Sequence, residues 1–326
     1  MHSSTSSFKP LPRGWASLLI ALAVAAGVLG GLELFWRSRG FVPTLEDAEP
    51  LWCTARKRAS GDAIAIVGSS RLQTEIDPAV MSTALGGRTV TQLALAGANP
   101  LPVLLELADD AEFTGVVLFE YMPRRLLTGD RASIARMDTF LAWCHDPSIV
   151  APIEARLGQT MQKHVVVTQT DLQLFSLLSY FSRHRGLPRE MHQVLGEDRF
   201  RGTFPSASQP KVQLDVWEPA LSADALAARL QTMRAAIAKI RARGGQVVIY
   251  RPIASGEVLA DEESRFPAAV WFSRVVHELD GPAIDFSTVA ALRDIHPQDG
   301  EHPQIADVPV ITRAIAAQLG PLLQRH

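Results

Sequence analysis

Residues 15–32 form an apolar run without a charge, with Ser17 its most polar member, and extending it to Trp36 adds only Glu33 as a charge. At about 1.5 Å per helical residue, residues 15–36 cover roughly 33 Å, about one hydrocarbon core, with Trp15 and Trp36 where interfacial aromatics belong. A secretory leader has an apolar core of about 7–15 residues, so this segment is expected to stay as an anchor, with cleavage after a triplet such as Ala21-Leu22-Ala23 as the alternative. Beyond it the period shortens. Thr44-Leu45-Glu46-Asp47 predicts a helix cap, with the helix running to about Ser60, and Gly61-Asp62 then hands over to the apolar run 63–67, the length of a buried strand. Similar runs recur at 89–95, 115–121, 246–250 and 282–286, each beside a helical pattern. Strands alternating with helices imply a parallel sheet covered on both faces. The clearest helix starts at Ser222 as N-cap, carries Leu226, Leu230, Met233, Ile237 and Ile240 on one face, and stops at Gly244.

The alternation fails between residues 130 and 221. Aromatic and basic residues mix in Leu174-Phe175-Ser176-Leu177-Leu178-Ser179-Tyr180-Phe181-Ser182-Arg183-His184-Arg185, too long a tract for a simple loop. The region reads as a mostly helical insertion. Its apolar run fits a lid, a membrane-surface helix or a docking face, and a helix buried against the sheet is the commoner outcome and the expectation.

With 326 residues, 47% of them hydrophobic, the chain can fold as one large α/β domain or two small ones. Its 32 basic and 34 acidic residues give a net charge of -2, which leaves no basic surplus for a phosphate backbone, so no nucleic-acid partner is expected. Two cysteines, Cys53 and Cys144, exclude a disulfide-dense scaffold; two buried free thiols are expected, with a pair in an oxidising envelope as the alternative. Orientation in the membrane is not set by charge, since Lys9 and Arg13 before the span are matched by Arg37, Arg39, Arg56, Lys57 and Arg58 after it.

Candidate chemistry lies at two distant places. The first strand runs into Val67-Gly68-Ser69-Ser70-Arg71, a small-residue turn that sets the Ser70 hydroxyl at the carboxyl edge of a parallel sheet, where α/β proteins assemble their sites. Near the other end, Asp294-Ile295-His296-Pro297-Gln298-Asp299-Gly300-Glu301-His302-Pro303 carries acids and imidazoles on one loop. A serine nucleophile needs an imidazole to take its proton and a carboxylate to orient that imidazole. Asp299 and His302 supply that pair, with His296 a rival base and Ser70 as a plain helix cap the bland alternative. No second ligand cluster accompanies these side chains, so neither a metal nor a cofactor is expected. Arg71 and Arg251, near strand ends, are candidate ligands for a carboxylate or anionic sugar, although ion pairing is at least as common a fate. Glu120 is a candidate acid partner for one of them, and Arg124-Arg125 reads as a solvated turn.

A small-residue turn after the first strand, with Asp-x-x-His-Pro before the last helix, resembles the SGNH/GDSL hydrolase superfamily, with Gly68-Ser69-Ser70 standing where Gly-Asp-Ser normally does. The resemblance spans roughly residues 62–319 without the insertion. It implies a three-layer α/β/α sandwich on a mainly parallel five-stranded sheet, with Ser70 as nucleophile, His302 as general base and Asp299 as its orienting acid. The family's second block supplies an oxyanion-hole glycine, for which Gly97 in Leu95-Ala96-Gly97-Ala98-Asn99 is the candidate. Its third-block asparagine is absent from Val117-Leu118-Phe119-Glu120-Tyr121-Met122-Pro123. Asn99, the sole asparagine, is therefore a candidate third donor beside the Ser70 and Gly97 amides, with a cap of the helix after Pro100 as the competing role.

With its span, its Gly-Ser-Ser-Arg turn and the segment 248–256, the chain further resembles membrane-anchored SGNH-like proteins of bacterial envelopes, among them accessory proteins of alginate O-acetylation and lipoteichoic-acid D-alanylation. That implies a cytoplasmic tail at 1–14, an anchor at 15–36, a linker and first helix at 37–61, and an extracytoplasmic domain at 62–326 with its insertion at about 130–221. The implied function is an esterase or O-acyltransferase acting on an envelope glycan or other ester, beside the bilayer and a multi-pass membrane acyltransferase. The alternative is a non-catalytic accessory protein that binds glycan or that acyltransferase.

Overall fold

A computed structural model of the chain describes residues 13–146, 150–205 and 217–323. The expected cytoplasmic tail lies outside these residues except for its last two positions. The chain divides into two units, one of residues 1–44 with 161–191 and one of residues 45–160 with 192–326. The insertion is therefore not a single appendage, because residues 161–191 group with the amino-terminal segment.

In chain order the described strands are β1 (Ile64–Val67), β2 (Val90–Gln92), β3 (Val116–Glu120), β4 (Gln193–Leu195), β5 (Arg201–Thr203), β6 (Gln246–Arg251) and β7 (Ala283–Asp285). The helices are α1 (Arg13–Ser38), α2 (Glu49–Arg58), α3 (Ser70–Glu75), α4 (Pro78–Ala84), α5 (Leu101–Asp109), α6 (Pro123–Leu126), α7 (Arg131–His145), α8 (Ala151–Gln162), α9 (Leu174–His184), α10 (Ala223–Ala242), α11 (Gly256–Arg265), α12 (Ala268–Leu279) and α13 (Val308–Leu323).

The larger unit is built on one five-stranded sheet in the order β2-β1-β3-β6-β7, parallel at every pairing, and the five strands fall on the five apolar runs. The central strands β1, β3 and β6 are largely apolar on both faces because both are covered. Successive side chains alternate sides. Ala65, Val67, Val117, Phe119, Val247 and Ile249 join Trp52, Leu104, Leu107, Leu230, Ile237 and Val275 from α2, α5, α10 and α12. Ile64, Ile66, Leu118, Val248 and Tyr250 join Leu72, Met81, Ile311, Ile315 and Leu319 from α3, α4 and α13. Helix, sheet and helix thus make three layers, as expected. The strand order reverses between β1 and β3, and in such sheets the crevice at the carboxyl end of that switch point is where ligands bind.

Ser222 caps α10 by accepting from the Ala225 N–H at 3.2 Å, and all five residues of its predicted apolar face are buried. The first helix departs from expectation, beginning at Glu49 instead of Leu45. The Leu45 N–H donates to the Leu195 carbonyl at 3.1 Å, so this backbone is committed to pairing beside β4 before the helix can start. The ends of the insertion are drawn together by an antiparallel bridge of Thr128 with Ala220, and Gly129 N–H donates to the Pro219 carbonyl at 3.0 Å. Cys53 on α2 and Cys144 on α7 are not free thiols; they form a disulfide with Cα atoms 5.4 Å apart. Packing of α2 against α7 brings together cysteines separated by 91 positions.

In the smaller unit, α1 contains a segment, Trp15–Ser38, long and apolar enough to cross a membrane and with none of its most apolar window buried. Its last turns are clasped by the chain after α8. The Glu33 carboxylate accepts from the Val166 and Val167 N–H groups, both at 3.0 Å, and Trp36 and Phe41 are buried with Val166 and Leu172. Contrary to expectation, α9 is not buried along its apolar run: Leu174, Phe175, Leu178 and Phe181 are all exposed.

Candidate active site

β1 delivers Gly68-Ser69-Ser70 to the switch point, and the turn is shaped by an acid on the neighbouring strand. Glu120, the last residue of β3, is fully buried and accepts from both the Ser69 N–H and, at 3.0 Å, the Ser69 hydroxyl. A glycine must precede them, because a Cβ at position 68 would sit 2.7 Å from Glu120 Oε2 and 2.9 Å from Leu72 Cδ2. The Ser69 hydroxyl also accepts from the Arg71 N–H at 3.4 Å, which makes Ser69 the cap of α3. Ser70 is therefore not the cap. It occupies the first helical position, where its own N–H has no intrahelical carbonyl to meet.

The second component comes from the loop before α13. Asp299 Oδ1 accepts from the Glu301 and His302 N–H groups at 3.0 and 2.8 Å, which folds the loop back on itself. Gly300 makes this possible with φ +87°, and a Cβ there would meet the Ser255 carbonyl oxygen at 2.9 Å. His302 then stands between the other two groups, its Nδ1 2.8 Å from Asp299 Oδ2 and its Nε2 2.9 Å from Ser70 Oγ. His296 is exposed and makes neither contact. Burial raises the Asp299 carboxyl, but the His302 side chain and the two N–H donors outweigh it and hold the pKa at about 2. Asp299 is thus a fixed negative charge at any working pH, as an imidazole-orienting group requires.

Arg71 does not face a ligand. It is 3% exposed, with Nε 2.8 Å from Glu301 Oε2 and Nη2 2.7 Å from both Glu301 and Glu262. Burial opposes its charge, but the two carboxylates more than compensate and keep the guanidinium protonated. Because Arg71 follows Ser70 and Glu301 precedes His302, this pair ties the serine turn to the histidine loop. Arg251 is likewise consumed, by Asp285 at 3.2 Å and by Glu263, with its guanidinium 5.2 Å from the Phe286 ring centre. The expectation that Arg71 and Arg251 hold an anionic substrate is therefore replaced by ion pairing. Arg125 is also no solvated-turn residue; it is half-buried and pairs with Asp130.

The second-block loop stays close to the serine turn, since the Leu95 N–H donates to the Gly68 carbonyl at 3.0 Å two residues before Gly97. Gly97 is exposed, and Arg136 of α7 reaches this loop by donating to the Ala96 carbonyl at 2.9 Å. Asn99 does not serve as a free donor there. Its side-chain oxygen accepts from Leu101 N–H at 3.0 Å and its amide donates to the Arg125 carbonyl at 2.8 Å, so it starts α5 and pins the α6 turn. Proline at position 100 gives that helix entry its fixed φ.

Several supporting residues escape a reading of the sequence. Glu262 has no motif around it, and Glu301 is hidden inside the Asp-x-x-His segment. On the far side of α3, Gln73 donates to Asp47 at 2.6 Å and accepts from Arg201 at 3.0 Å, so the β4–β5 hairpin braces the helix that begins with Ser70. At its end, Glu75 is fully buried and accepts from the Tyr250 hydroxyl and, at 3.3 Å, from the Ile253 N–H.

No family model and no curated protein matches the chain. Among solved structures, it is similar to a protein from Desulfitobacterium hafniense DCB-2 described as lipolytic and of the G-D-S-L family, with 11% identity over 79% of this chain and 99% of that one and a TM-score of 0.36. An overlap this loose does not carry an activity from one protein to the other.

Proposed function

We propose that the chain is a membrane-anchored serine acyl hydrolase or O-acyltransferase of SGNH type, acting on the outer side of a bacterial cytoplasmic membrane on an envelope glycan or other ester. The observation that carries this reading is the unbroken relay from Ser70 through His302 to Asp299 at the switch point of the sheet. In the proposed reaction Ser70 Oγ attacks the acyl carbonyl as its proton passes to His302 Nε2. The tetrahedral oxyanion is met by the Ser70 N–H at the start of α3 and by the Gly97 N–H, and collapse expels the alcohol with the proton returned by His302. Water then hydrolyses the acyl-enzyme in a hydrolase, and a glycan hydroxyl takes the acyl group in a transferase. No bound metal or cofactor enters these steps. The outer location is supported by the anchor-length segment and by the Cys53–Cys144 disulfide, a bond that persists in oxidising compartments.

One observation favours a second reading, a non-catalytic partner of a multi-pass membrane acyltransferase. Where the related family has its third-block asparagine, this chain has Glu120, an acceptor that cannot donate to an oxyanion while ionised. The two readings separate on treatment of membranes holding the full chain with a fluorophosphonate. The enzyme reading expects labelling on Ser70, lost in Ser70→Ala and His302→Ala and retained in His296→Ala. An unlabelled, folded wild type refutes it.

A further inference from the structure

The apolar face of α9 is too orderly to be incidental. Leu174, Phe175, Leu178 and Phe181 recur at spacings of one, three and three, so they share one side of the helix, and each is more than half exposed, Phe175 at 85%. The helix is anchored along the flank beside that face. Leu177 packs against the cluster of Trp36, Phe41, Val166 and Leu172, which is built on the last turn of α1 and the residues just after it. That cluster is further tied to the end of α1 by Glu33, which accepts from Val166 and Val167 N–H groups, and by Arg37, which donates to the His164 carbonyl at 2.7 Å.

This arrangement fixes the depth of α9. If α1 crosses the bilayer, residues 15–32 span roughly 27 Å at the helical rise and hydrocarbon ends near Glu33, so α9 is held at the level where acyl chains give way to headgroups. A helix lying in that layer buries its apolar side about 5–10 Å into the boundary and keeps its basic residues at the phosphates. The sequence of α9 and its exit fits both requirements. Residues 172–189 contain no Asp or Glu, and Arg183, Arg185 and Arg189 are exposed at the end of the tract. Anionic headgroups are the charge that this end complements.

We propose that α9 lies in the interface of the bilayer that α1 crosses, with the Leu174, Phe175, Leu178 and Phe181 side immersed and the three arginines at the lipid phosphates. The helix then gives the anchored chain a second membrane contact beside the α1 span. The proposal rests on α1 being a membrane anchor, a reading that the test checks separately. Full-length chain is placed in vesicles of phosphatidylcholine and phosphatidylglycerol, with an environment-sensitive fluorophore on a cysteine introduced by Phe175→Cys or Leu178→Cys. The native cysteines are paired with each other and do not take the label. A third sample carries the label at Leu22→Cys inside α1.

With brominated lipids, the labels at 175 and 178 are expected to lose most of their emission to bromines near the headgroup end of the acyl chain and to resist aqueous iodide. The label at 22 should be quenched by bromines deep in the chain. Labels on α9 that are open to iodide and unaffected by brominated lipid overturn the proposal. Labels shielded from iodide yet insensitive to brominated lipid also overturn it, since the face is then covered by protein, either a second copy or another membrane protein. If the label at 22 escapes lipid quenching, the anchor reading itself fails, whatever α9 does.

Discussion

Glu75 provides a direct electrostatic test of how the layer beneath Ser70 is assembled. Desolvation by full burial pushes its carboxyl from an ordinary 4.5 to about 8, and the Tyr250 hydroxyl, the Ile253 N–H and nearby Arg71 only partly oppose that rise, while Glu120 adds to it. A folded-state pKa above the unfolded value means that the folded chain holds the proton more tightly. The associated stability is fully present below pH 4.5 and is lost as the pH rises towards about 8. At about 1.4 kcal/mol per pH unit, the loss approaches 5 kcal/mol once pH 8 is reached and is about 3 kcal/mol at pH 7. Glu75→Gln removes the titration and keeps a carbonyl oxygen for Tyr250 and Ile253.

The wild type and this variant should therefore be about equally stable at pH 4.5 and diverge above it, with the variant the more stable. At roughly 2–4 °C per kcal/mol, the gap in thermal midpoint at pH 8 is on the order of 10 °C. Thermal unfolding of both proteins from pH 4.5 to 8.5 measures it, and groups common to both, including Asp299, cancel in the difference. Curves that run parallel across this range would refute the reasoning, since Glu75 would then be either solvated or compensated in the fold.

Three further outcomes follow from the same network. Glu301→Gln should lower kcat or the Ser70 labelling rate by roughly tenfold through about 1–2 kcal/mol of weakened contact with Arg71, leaving KM unchanged, because Glu301 positions His302 and touches no substrate; a change confined to KM would contradict this. Glu120→Asn, which places the resembled family's residue type at this position, should reduce labelling of Ser70 instead of raising it, since the shorter side chain gives up the two Ser69 contacts; faster labelling would show that position 120 belongs to the oxyanion hole. Replacing both Cys53 and Cys144 with serine removes a loop constraint of roughly 4–5 kcal/mol by chain-entropy arithmetic, seen as a lower unfolding midpoint under non-reducing conditions; an unchanged midpoint would mean that the bond adds nothing.

The three central strands, β1, β3 and β6, are legible because they are buried on both sides, which leaves short, mainly apolar runs; the edge strands β2 and β7 are shorter, more polar and less completely buried. Ser222 and the face from Leu226 to Ile240 were legible for the related reason that cap and period act within a few residues. The start of α2 is not legible because the cap signal at Thr44 is local, whereas the bond from Leu45 reaches Leu195 inside the insertion. Periodicity shows that α9 is amphipathic but does not say what an apolar face meets, and the structure leaves the face exposed where burial is the commoner outcome.

The site divides along the same line. Ser70, Asp299 and His302 could be singled out because each sits in a short segment whose residue types match the chemistry, and the structure brings all three within hydrogen-bonding distance. The residues that set their geometry lack such segments. Arg71 looked like a ligand for an anionic substrate because an arginine near a strand end is informative only once its partners are known, and those partners are 191 and 230 positions away. Glu120 illustrates the limit most sharply. By comparison with a family pattern it is a missing asparagine, a defect in the oxyanion hole. In the folded chain it is the acceptor that fixes Ser69 and explains why residue 68 must be glycine. A residue that departs from a resembled pattern when positions are compared singly can therefore belong to an internally consistent way of holding the serine turn in this chain.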